Sequence, residues 1–64
     1  MDPNANLEEL LRLARESQAL IDSDEGATPL ELAERLDRMS ELVLALDAWL
    51  RGGGFAPRVW SVRR

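Results

Sequence analysis

Sixty-four residues with eight Arg, 12 acids and a net charge of −4 make one small acidic domain at most. The absence of Cys, His and Lys removes disulfides, the usual zinc ligands and the nucleophile–base pairs built from those side chains, so no enzyme, cofactor or metal is expected. Domains this small gain stability from cross-links, a metal or association, and association is the route left open.

The N-terminus, Met1-Asp2-Pro3-Asn4, lacks the positive and apolar regions of a signal peptide. No apolar run nears the roughly 20 residues that span a bilayer, so a soluble cytoplasmic protein is expected. A first helix is predicted over about residues 6–22, with Asn6 as its cap and Glu9 where a capping box needs it. At 100° per residue, Leu7, Leu10, Leu11, Leu13, Ala14, Ser17, Leu20 and Ile21 fill one half of this cylinder. Half a circumference is wider than one partner helix needs and suits two neighbours.

Residues 23–27 are short and polar, as a helix–helix connection should be. Asp22, Asp24 and Gly26 imitate the start of a calcium loop, but Ala27 and Ala33 stand where Gly and Glu belong, so a solvated turn is the better reading. Thr28-Pro29-Leu30-Glu31 then combines an N-cap, Pro at the first helical position and Glu at the third. The second helix is predicted over about residues 28–51, with Gly52 at C′.

Along that helix Leu32, Leu36, Met39, Val43, Leu46 and Leu50 alternate steps of four and three, the spacing of a core or oligomer seam. Glu31 with Arg35, and Glu34 with Arg38, are spaced for i,i+4 pairs. Leu30, Ala33, Leu44 and Ala48 form a smaller strip on another face, a candidate docking strip for a partner. About 15 residues in the first helix against about 23 in the second is roughly 22 Å against 34 Å. The overhang carries Trp49 and Leu50, and an uncovered apolar end is a sticky one. Either a tail or a second copy must cover it.

Gly52-Gly53-Gly54 makes a hinge, after which Phe55, Val59 and Trp60 are placed to fold back with Trp49 as a cap. Residues 1–50 hold 12 acids against four Arg, net −8, whereas residues 51–64 hold four Arg and no acid. Any phosphate contact would therefore come from Arg58, Arg63 and Arg64. An acidic body argues against nucleic acid as a partner.

The stretch Leu46-Asp47-Ala48-Trp49-Leu50-Arg51-Gly52-Gly53-Gly54-Phe55-Ala56-Pro57-Arg58-Val59-Trp60 resembles the endings of many small, acidic, Lys-poor helical proteins of actinobacterial phages, mycobacteriophages especially. The likeness covers about 15 residues, and the third Gly and the final Arg63-Arg64 depart from it. It implies a phage accessory protein and no particular activity.

Residues 1–64 are thus read as one all-α domain: an antiparallel two-helix hairpin with a folded-back aromatic tail at residues 52–64. Copies are expected to associate, a dimer in a four-helix bundle being favoured. The expected function is a self-associating protein–protein interaction module that also binds a host or phage protein. The alternative is a nucleic-acid-associated regulator using the Arg tail.

Overall fold

A computed structural model, which describes residues 1–23, 25–26 and 28–60, shows two long helices packed against each other, with no strand among those residues. Helix α1 is Pro3–Asp22 and α2 is Pro29–Arg51. Both open on the same chemistry, a side-chain oxygen at the cap followed by Pro. Asp2 Oδ1 accepts from the N–H groups of Asn4 at 2.9 Å and Ala5 at 3.3 Å. Thr28 Oγ1 accepts from Glu31 N at 3.1 Å, while Glu31 Oε2 accepts from Thr28 N at 3.2 Å, the reciprocal box its sequence implies. Each cap satisfies N–H groups that have no partner within their own helix, and Pro has none to lose.

Helix α1 therefore begins ahead of Asn6, the cap expected from the sequence. Asn6 has a different task. It is buried in the hairpin, and its Nδ2 donates to Leu42 O at 3.1 Å, tying α1 to α2 across the fold. Its Oδ1 is buried without a hydrogen-bond partner among the described residues.

The helices run antiparallel, since cross-links between them fall along α2 as they rise along α1. Asn6 meets Leu42, Glu9 meets Arg38 and Glu16 meets Arg35. With α1 at 20 residues and α2 at 23, the length mismatch shrinks to about 4.5 Å at 1.5 Å per residue. The register of those cross-links sets Pro3 opposite about residue 45, so α2 still projects about six residues, roughly 9 Å, past the start of α1, close to the overhang its sequence implies.

Helix α2 ends in a Schellman motif. The N–H of Gly53 reaches Leu50 O at 3.1 Å and that of Gly54 reaches Trp49 O at 2.9 Å, with Gly53 at φ +91°. Gly53, not Gly52, is thus the left-handed residue. Gly54 lies flat against the Trp49 indole, and a Cβ built there would sit 2.6 Å from Trp49 Cδ2. Gly54→Ala is expected to cost about 1–3 kcal/mol by overpacking, read as a lower urea midpoint with an unchanged slope. An unchanged midpoint would show that the tail does not pack on Trp49.

The tail turns back from this cap. Trp49 Nε1 donates to Phe55 O at 2.9 Å, and the two rings meet edge to face at 5.6 Å. The backbone N–H of Arg58 donates to Asn4 Oδ1 at 2.7 Å, and a 3₁₀ turn follows at Arg58–Trp60. Pro3 and Pro57 are the most deeply buried side chains, and Leu7, Leu13, Leu42 and Leu46 complete the core. The Cα trace measures 42 × 25 × 14 Å. No helix among the described residues is long and apolar enough to cross a membrane.

Candidate interaction surface

The hairpin has two unlike flanks, set by which side chains the α1–α2 contact leaves free. One is ionic. Arg38 grips Glu9 with two hydrogen bonds, Nε at 2.8 Å and Nη2 at 2.9 Å, and turns Nη1 to Glu41 at 3.0 Å. Glu16 takes Arg12 at 2.9 Å and lies 3.5 Å from Arg35 Nε, which is not aligned as a hydrogen bond. Arg35 Nη1 donates instead to the Glu31 carbonyl at 3.2 Å. The i,i+4 pairing of Glu31 with Arg35 and Glu34 with Arg38 is thus replaced by bridges between helices. A guanidinium on a long stem reaches whichever carboxylate the fold presents, and a forked pair is stronger than a single contact.

The hydrogen bonds from Arg38 hold the Glu9 carboxyl below its ordinary pKa of 4.5. A lowered folded-state pKa means stability that is present above the ordinary value and lost as pH falls through the folded one. Glu9→Gln should therefore melt lower than the native chain at pH 7, with the two curves converging below about pH 4.5. A constant gap down to pH 3 would mean that the pair contributes nothing through its charge. The effect is small because both side chains are solvent-exposed.

The other flank is apolar. Leu32, Leu36, Met39, Val43 and Leu50 fall within an arc of roughly 60° on α2, turned away from Arg38. Leu36 is 65% exposed and Val43 49%, whereas Leu32, Met39 and Leu50 are half-buried. Of the six expected seam residues, Leu46 alone is fully used inside the hairpin, where it lies with Leu42 in the core. Met39 marks the boundary, since Ser17 Oγ approaches its sulfur at 3.9 Å. Leu10 of α1 continues the flank, sharing a shallow groove with Val43, Leu46, Leu50 and Trp60.

The candidate docking strip of Leu30, Ala33, Leu44 and Ala48 is exposed along one face of α2. Leu44 is 68% exposed and borders a groove with Leu36, Met39, Ser40 and Val43, so it widens the apolar flank. In the tail, Phe55 and Trp60 both reach the end of α2, Phe55 against Trp49 and Trp60 beside Leu50, while Val59 lies against α1. Phe55 meets Trp49 edge to face, and Val59 borders a groove with Leu7 and Leu11; both remain exposed. The proline between them is the buried residue, a rigid apolar ring that the search for aromatic caps passes over.

Arg58 is exposed, while Arg63 and Arg64 lie outside the described residues, as do Asp24 and Ala27 of the imitation calcium loop. Among the described residues no three acidic side chains converge as a metal site requires. No protein-family model, curated protein or solved structure matches the chain.

Proposed function

We propose that this protein is a small self-associating interaction module, acting by binding rather than catalysis, with the apolar flank of the hairpin as its binding surface. The carrying observation is how little of its apolar side-chain inventory the single chain buries. Leu11, Ile21, Leu30, Leu36, Val43, Leu44, Phe55, Val59 and Trp60 are all exposed. The accessible area is 5046 Å², against about 4,100 Å² for a compact monomer of this mass. The excess of roughly 900 Å² is the size of one partner's share of an ordinary protein–protein interface. On the resemblance of residues 46–60 to phage-encoded endings, the proposed setting is a bacterial host cytoplasm, with a host or phage protein as a further partner.

Association stabilises only the associated state, so the melting temperature must depend on protein concentration. A hundredfold dilution should lower Tm by several degrees with loss of helical circular dichroism. A Tm independent of dilution would contradict the reading.

A further inference from the structure

We propose that the second copy docks antiparallel, α2 against α2, about a two-fold axis passing between Met39 and Ser40; this rests on the self-association just described. The central groove on α2 is lined by Leu36, Met39, Ser40 and Val43, with Leu44 at its rim. The spacing of the first four is three, one, three, which reads the same in both chain directions. A two-fold interface presents the same patch from both copies, so that residue i meets j while j meets i. About an axis between positions 39 and 40, Leu36 of one copy faces Val43 of the other, and Met39 faces Ser40. A large side chain then meets a small one at the centre, which lets the helices close to packing distance.

The polar group at that centre is already satisfied. Ser40 Oγ donates to the Leu36 carbonyl of its own helix at 2.8 Å, so covering it strands no donor. Between Leu36 and Val43 the charged side chains are Asp37, Arg38 and Glu41. Arg38 and Glu41 are tied together on the ionic flank, which leaves the groove itself uncharged. About the same axis Leu32 and Leu50 lie opposite Asp47 and Pro29 of the second copy, so the apolar seam is centred on residues 36–43, about 10 Å of helix. A parallel arrangement would set Leu36 against Leu36 and align the two helix dipoles, which antiparallel packing opposes favourably. The result is a four-helix body two layers thick, with each α1 on the outside of its α2.

The chain has no Cys, so single Cys variants report on the axis without interference. Leu36→Cys mixed with Val43→Cys should yield a disulfide-linked heterodimer under mild oxidation, several-fold more than either variant alone. In each alone the two sulfurs would sit about 10 Å apart along the axis, beyond disulfide reach. Both positions are exposed in the single chain, so folding should survive the changes. Efficient self-linking of each variant with none in the mixture would establish a parallel seam and overturn the proposal, leaving self-association intact. A protein that sediments as a monomer and links in no combination would overturn both.

Discussion

Leu46→Ala is expected to cost about 2–5 kcal/mol, the range for a buried Leu whose cavity the surroundings only partly fill. Leu46 is 4% exposed and one of four buried Leu side chains among the described residues. A domain of 64 residues has roughly 3–10 kcal/mol of stability in all. The variant should thus be largely unfolded at 37 °C, with helical circular dichroism well below the native level at any protein concentration. Native-like helix content at low concentration would show that the hairpin core lies elsewhere.

Leu36→Asp should give the opposite pattern. In the single chain Leu36 is mostly exposed, so a carboxylate there meets water and leaves the hairpin intact. In the paired state it faces Val43 of the second copy, where an unpaired charge would be stranded in an apolar seam at a cost of several kcal/mol. The association constant should fall by at least a hundredfold, while helix content matches that of the dilute native protein. A native-like association constant for this variant would remove the flank from the interface. Together the two Leu variants separate folding from assembly on one helix.

Neighbouring Leu residues differ in burial, Leu42 and Leu46 inside and Leu36 outside, because α2 carries two overlapping apolar stripes. A heptad reading selects Leu32, Leu36, Met39, Val43, Leu46 and Leu50 as one set, and their spacing is identical in a core and in a seam. Which edge turns toward α1 depends on α1, and there Asn6 meets Leu42, with Leu42 and Leu46 buried along that edge. Periodicity identifies a helix and its apolar side; it does not rotate that side onto a particular neighbour. Leu42 therefore enters the core from one margin of the stripe, and Leu36 stays outside it at the opposite margin.

Local chemistry was easier to read. Thr28-Pro29-Leu30-Glu31 forms its capping box because every atom involved lies within one turn. Asp2-Pro3 carries the same kind of signal for α1, but Asn6 with Glu9 offers a competing one. Choosing between them requires knowing that Asn6 is needed by Leu42 and Glu9 by Arg38, both about thirty residues away in sequence. The tail followed a similar course. Its return along the helices is implied by the glycines, while the burial of Pro57 and the close fit of Gly54 to Trp49 are set by packing that no local pattern announces.

Sedimentation equilibrium over a concentration series tests the central claim, that the apolar flank exists to be covered by a second copy. The expected result is a mass that rises with concentration to twice the 7.2 kDa of the chain, falling back to a single chain in Leu36→Asp. A native mass of one chain up to millimolar concentration would contradict it.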